Sequence, residues 1–224
     1  MAAFMSMPAV RCPEIAGHAG LMDRVYRRQR HIYDFTRRYY LFGRDRLIGQ
    51  LALSPSQTLV EVGCGTARNL IAIARRYPGV HLFGLDASEA MLETARAAIG
   101  RAGLADRITL AQGLAEELSP SRFAVESFDR VLFSYSLSMI PDWQRALAAG
   151  FAALSPDGYV HVVDFGDLTG LGWLGQRVMR AWLALFHVSP RVEFLAALER
   201  VTQNRGGLTL LPGRYAFLFS GGKP

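Results

Sequence analysis

Residues 59–65, Leu-Val-Glu-Val-Gly-Cys-Gly, and the pair Leu85-Asp86 about twenty positions later decide how this 224-residue chain folds. A short apolar run breaks into Gly63-x-Gly65, and a helix-like stretch from Arg68 to Tyr77 follows. A second apolar run, Val80 to Leu85, ends in the carboxylate of Asp86. Glycines at a strand end let a ligand lie against bare backbone, and an acid on the next strand offers acceptors to a ribose diol. The same spacing suits a dinucleotide fold, so the third glycine of that fingerprint decides between them. Arg68 stands in that place, where a pyrophosphate-binding turn needs glycine for close helix–strand packing. The expected ligand is a nucleoside without a pyrophosphate, and S-adenosylmethionine (SAM) fits.

Size and composition narrow the rest. The length suits one domain, or one with an appendage, and half the residues are apolar, enough for a sizeable core. All but one of the 25 basic side chains are arginine, Lys223 being the exception, and the net charge is +6. That bias suits bidentate recognition of phosphate or carboxylate, and it also follows from a GC-rich coding sequence. Cys12 and Cys64 make no disulfide framework, so a reducing cytoplasm is expected. Met1 to Val10 lacks the pattern of a signal peptide, and no apolar run reaches the roughly eighteen residues of a membrane span. The histidines are scattered, so no metal is expected.

Outward from the glycine turn, strand and helix signals alternate. Strands are predicted at 57–62, 80–85, 107–111, 128–134 and 158–164, and helices at 67–77, 88–99 and 141–154. Ser88 reads as a helix cap, and Pro78-Gly79 and Pro156-Asp157-Gly158 as turns ending helices. Leu208–Leu211 and Tyr215–Phe219, divided by Pro212-Gly213, read as a closing hairpin. This rhythm predicts an α/β domain with a parallel, Rossmann-like sheet and helices on both faces. Residues 1–50 form a leader and helical lid, and 51–224 a core with an aromatic, amphipathic helical insertion at about 168–190.

The motifs together resemble the class I SAM-dependent methyltransferases. They are Glu61-Val-Gly63-Cys64-Gly65-Thr66, Asp86, Gln112-Gly113-Leu114, Phe128-Asp129 through Ser134-Tyr135-Ser136, and Leu154-Ser-Pro156-Asp-Gly158. That resemblance implies a seven-stranded sheet with its last strand antiparallel, and SAM as cofactor with S-adenosylhomocysteine as product. Within it, Gly63, Cys64 and Gly65 pass beneath the methionine portion and ribose, and Asp86 accepts both ribose hydroxyls. Ala87 and Met91 flank the adenine, with Gln112, Gly113 and Leu114 at its edge. Glu61, Ser134, Tyr135, Tyr33 and Arg38 complete the expected cofactor contacts. Leu114 stands where the family often has an acid, which removes a side-chain acceptor for the exocyclic amine. Cys64 is expected as a small residue filling a tight turn and not as a nucleophile.

The leader, Met22-Asp-Arg-Val-Tyr26 through Tyr33-Asp34, Arg37-Arg38-Tyr39-Tyr40 and Gly43-Arg44-Asp45-Arg46, is similar to bacterial diacylglyceryl-homoserine N-methyltransferases, as is Phe186-His187-Val-Ser-Pro190-Arg191. This narrower resemblance implies successive methylation of a lipid headgroup amine to give a trimethylated betaine lipid. Phosphatidylethanolamine is the nearest alternative acceptor, and a small molecule a further one. Aromatic faces hold a methylated ammonium without a counter-charge. Tyr33, Tyr39, Tyr40 and Tyr135 are the candidates at the reacting centre, with Tyr26 and Trp143 behind them. Arg37, Arg44, Ser136 and Arg191 are expected to hold the acceptor, and His31 and Tyr135 are the weak candidates for a base. The arginines of residues 24–46 and the apolar side of 168–187 suit contact with a membrane surface. The expected location is therefore the cytoplasm, at the inner face of the membrane, and nucleic acid is not the expected partner.

Overall fold

A computed structural model describes residues 41–184, 193–201 and 206–223. Its elements follow in order: α1 (Arg44–Gln50), β1 (Thr58–Val62), α2 (Arg68–Arg76), β2 (His81–Asp86), α3 (Glu89–Arg101), β3 (Ile108–Gln112), β4 (Phe128–Ser134), α4 (Trp143–Ala152), β5 (Leu154–Phe165), α5 (Trp173–Ala184), α6 (Glu193–Val201), β6 (Gly206–Leu210) and β7 (Ala216–Gly222). The strands form one sheet in the order β3-β2-β1-β4-β5-β7-β6, with β7 antiparallel to both its neighbours. The remaining pairings, β1 through β5, are parallel. This is the seven-stranded arrangement that the motifs imply.

Strand residues alternate between two apolar layers, as a period of two dictates. Leu59, Leu132, Val163 and Leu218 point to one layer, which they share with Leu47 and Ile48 of α1, Leu70 and Ile73 of α2, Leu92 and Ile99 of α3, and Leu183 of α5. Val60, Val131, Val162 and Phe217 point to the other, with Trp143 and Leu147 of α4 and Phe194 and Leu198 of α6. The sheet is thus covered on both faces, which is why its parallel strands read as unbroken apolar runs. Residues at the end of the leader, Leu41, Leu47, Ile48 and Leu51, are buried in the same layer as the core helices. Packing is continuous across residue 50.

Local chemistry sets the boundaries. Ser88 Oγ accepts from Met91 N and caps α3, as the sequence predicts. Asp142 caps α4 in the same way through Arg145 N. The orphan carbonyls at the end of α2 are met by Arg107, whose guanidinium donates to Ala74 O, Tyr77 O and Val80 O at 2.8, 2.8 and 3.1 Å. Two readings need correction. Pro156-Asp157-Gly158 is not a turn ahead of β5 but a bulge within it, since Phe128 pairs with Leu154 and Arg130 with Tyr159. Helix α6, with Phe194 and Leu198 one turn apart on its buried side, lies in a stretch for which the sequence reading gave no element.

Replacing Arg107 with alanine leaves three carbonyls without their shared donor. It is expected to lower stability by about 2 kcal/mol in urea unfolding; an unchanged midpoint would show that water serves those carbonyls equally well.

Candidate active site

The chain leaves β1 through two glycines in the left-handed region, Gly63 at φ 74° and Gly65 at φ 54°. Gly63 N and Cys64 N both donate to Leu85 O, at 2.8 and 3.1 Å, which pins the turn to the end of β2. A Cβ on Gly63 would lie 2.7 Å from Cβ of Ser136, so only glycine fits there. Asp86 sits at the tip of β2. One of its carboxylate oxygens accepts from Gly65 N at 2.7 Å and the other from Ser88 N at 2.9 Å. The group that shapes the turn thus stands at the strand end where the sequence expects a diol to be accepted.

Glu61 lies within β1, fully buried. Asn69 Nδ2 donates to its Oε1 at 2.6 Å and to Ser134 Oγ at 3.0 Å, while Glu61 Oε2 has no partner. Burial pushes the Glu61 carboxyl from 4.5 up to about 8, opposed by the Asn69 bond and the nearby Arg44 and Arg68. The carboxyl is therefore protonated at neutral pH. Arg68 reaches over the same wall, donating to Asn69 Oδ1 at 3.1 Å and pairing with Asp45 at 3.0 Å. These groups line a pocket of about 390 Å³ with Leu41, Arg44, Gly63, Cys64, Gly65 and Thr66. Cys64 is held as a neutral thiol by burial and by the Asp86 and Glu61 carboxyls, which suits a space-filling residue.

The residues read for adenine follow along the sheet edge. Asp86 pairs with Gln112 in the β2–β3 ladder, Gly113 N donates to Asp86 O at 3.0 Å, and Gln112 Nε2 donates to Ala87 O at 3.2 Å. Met91 is buried beneath them, and Leu114 is half-buried beside Gly113. These residues lie beyond Asp86 and do not line the 390 Å³ pocket. Arg122 folds back onto this strip, donating to Gln112 O at 3.0 Å.

The structure corrects three expectations and leaves others outside its described residues. Tyr135 does not line the pocket: at φ 55° it turns inward, is 2% exposed, packs edge-on against Phe165 and donates to Phe42 O at 2.5 Å. Burial and Asp164 raise its phenol pKa, so it is neither a cation-holding face nor a base. Trp143 is buried in the opposite layer against Phe194. Arg44 lies on the wall of the pocket beside Glu61. Ser136 is buried behind Gly63 with an unpartnered hydroxyl. Tyr26, His31, Tyr33, Arg37, Arg38, Tyr39, Tyr40 and Arg191 lie outside the described residues. Asn69 escaped the sequence reading; its signal was a polar residue on the buried face of α2, beside Leu70 and Ile73.

Residues 59–158 match the methyltransferase domain family. The sheet has the strand order of the class I methyltransferase fold. A demethylmenaquinone methyltransferase of Lactobacillus johnsonii is 30% identical over 135 residues, covering 58% of this chain and 54% of that protein. A ubiquinone/menaquinone biosynthesis C-methyltransferase of Cereibacter sphaeroides is 29% identical over 155 residues, covering 67% and 61%. The chain thus spans little more than half the length of these relatives. Among solved structures, phosphoethanolamine N-methyltransferase 2 of Haemonchus contortus, in complex with SAM, superposes with a TM-score of 0.65 at 16% identity, over 81% of this chain and 52% of that one.

The site fits that cofactor on its own chemistry. A bare glycine turn, a carboxylate at the tip of β2, and the unpartnered Glu61 Oε2 beside Arg44 match a nucleoside that carries an amino acid. Among the described residues no cluster of His, Cys, Asp and Glu has the makings of a metal site.

Asp86→Ala is expected to weaken S-adenosylhomocysteine binding at least about a hundredfold by calorimetry, equivalent to about 2.7 kcal/mol, and Gly63→Ala more than about tenfold. Circular dichroism should still report a folded sheet in both, and undiminished affinity in the Asp86 variant would remove its assigned role.

Proposed function

We propose that this chain methylates the amine of a lipid headgroup, diacylglyceryl-homoserine, in successive steps to the trimethylated betaine lipid. The observation that carries the cofactor half is the unpartnered, buried Glu61 oxygen set beside Arg44 on the pocket wall. Glu61 receives the ammonium and Arg44 the carboxylate of the methionine end, and Asp86 receives the ribose diol. SAM supplies a methyl group already activated on a positively charged sulfonium. The protein's part is then alignment in a pocket shielded from water.

The acceptor half rests on what that alignment needs. An α-amino group titrates near pH 8, so a useful fraction is neutral without a dedicated base. Methylation of a quinol ring carbon, by contrast, calls for a group that removes a phenolic proton. The described histidines do not supply one. His81 starts β2 at the far edge of the sheet from the glycine turn, and His161 is buried and bonded to Ser220. Burial and Arg130 push the His161 pKa down to about 3. With Tyr135 and Trp143 committed to packing, the faces for a methylated ammonium fall to Tyr33, Tyr39 and Tyr40 of the leader. The names of the relatives favour the second reading, C-methylation of a quinone precursor, and both acceptors are membrane lipids.

Lipid mass spectrometry separates the two. Cells that make the homoserine lipid are expected to gain a trimethylated species when they express this chain, and cells without it none. Methylated phosphatidylethanolamine or a newly methylated menaquinone in its place would overturn the homoserine assignment.

The Glu61 role has its own readout. The folded chain keeps a proton that the unfolded chain loses near pH 4.5, so Glu61 makes stability fall as pH rises toward about 8, and the penalty is complete above that. Glu61→Gln without cofactor is expected to be more stable than the parent by a few kcal/mol at about pH 9, with the difference closing by about pH 4. The same variant should bind S-adenosylhomocysteine more weakly. Parallel pH–stability curves would show that Glu61 is not buried as an acid.

A further inference from the structure

The apolar arc of helix α5 is wider than the part that the core covers. Leu183 is buried, and Met179 and Trp182 pack beside it against the layer that also holds Leu41, Cys64 and Leu168. Leu174 and Val178 continue the row of Trp182 at one-turn spacing but are 58% and 61% exposed, and Trp173 at the start of the helix is 76% exposed. A helix that only covers a core keeps its apolar arc buried. The rest of the helix surface carries Arg177 and Arg180, and the twelve residues Trp173–Ala184 include no acid.

The position of this helix is fixed. Arg180 donates to Asp167 O at 3.2 Å, and Asp167 is held by Arg214 through both carboxylate oxygens. Asp167 follows the end of β5, so α5 starts from the same edge of the sheet as the glycine turn. Phe42, 59% exposed and edge-on to Tyr215, lies next in the chain to Leu41, which lines the cofactor pocket. Arginines and exposed aromatic groups therefore lie at the end of the sheet that carries the glycine turn.

We propose that the outward face of α5, with Trp173, Leu174 and Val178 as its apolar contacts and Arg177 as its cation, docks on an anionic lipid bilayer. Charge selects this occupant over two others. A second copy of the chain would bring the same arginines against each other across a twofold axis. The leader segment 21–40 has Arg24, Arg27, Arg28, Arg30, Arg37 and Arg38 against Asp23 and Asp34, so it would also meet Arg177 with like charge. An anionic headgroup layer attracts arginine, and the acyl boundary beneath it takes tryptophan, leucine and valine. This extends the lipid-acceptor reading, since a bilayer at this face presents headgroups to the pocket.

The test is co-sedimentation of the full chain with vesicles of equimolar phosphatidylglycerol and phosphatidylcholine, and with vesicles of phosphatidylcholine alone. It is run without cofactor or acceptor, so it fails or succeeds independently of which lipid is methylated. Binding is expected to the anionic vesicles, falling as salt rises. A Leu174→Ser, Val178→Ser double variant should lose about tenfold or more in partitioning. Arg177→Glu should lose binding to anionic vesicles, and the melting temperatures of both variants should match the parent because the altered side chains are exposed. Failure of the parent to bind, or equal binding by the variants, overturns the proposal. So does a dimer that the double variant dissociates in light scattering, which assigns the face to a second copy. Tryptic cleavage within residues 1–40 that only the double variant permits assigns it to the leader.

Discussion

The carboxylate of Asp86 is the joint on which the site depends. It receives Gly65 N from the turn after β1 and Ser88 N from the start of α3, while its own backbone carbonyl receives Gly113 N from the end of β3. Three strand ends and one helix start therefore meet at a single residue. Hydrogen bonds to a charged acceptor contribute roughly 1.5–3 kcal/mol each. One of them here holds the left-handed glycine turn, which the bonds of Gly63 N and Cys64 N to Leu85 O also pin, and the other holds the start of α3. The turn keeps its shape before any ligand arrives.

Glu61 works by the opposite logic. Where Asp86 is satisfied and stabilises, Glu61 is buried with one oxygen unmatched and resists burial by keeping its proton. A partly satisfied buried acid costs stability that an apolar side chain of similar size would not. Asn69 fixes one oxygen, and the helix that supplies Asn69 is itself held at its far end by Arg107. Strain of this kind, confined to one residue in an otherwise well-packed sheet, is what a preorganised binding site looks like.

The fold was largely legible because its signals are local and repeated. Parallel strands covered on both faces read as apolar runs, and the glycines, Ser88 and Asp86 sit at element ends where backbone geometry restricts the residue type. The failures share a cause. Tyr135 follows β4 in the register of a site residue, but its left-handed backbone turns the ring into the core, and nothing in the sequence marks a tyrosine for that conformation. Asn69 carries no spacing signature, since a side-chain amide bonding a buried acid is a tertiary event.

The first described residues are tied to the core in two ways. The chain enters at Phe42–Gly43, where Tyr135 holds the Phe42 carbonyl and Gly43 adopts φ 88°. A Cβ at Gly43 would lie 2.8 Å from Leu211 and 3.1 Å from Leu218, so the backbone there is pressed against the closing hairpin. One hydrogen bond and one close approach thus fix the backbone at Phe42–Gly43. Immediately afterwards Arg44 and, through its ion pair with Arg68, Asp45 join the pocket wall. The attachment at Phe42–Gly43 uses backbone and a core tyrosine, and neither the turn after β1 nor Asp86 takes part in it.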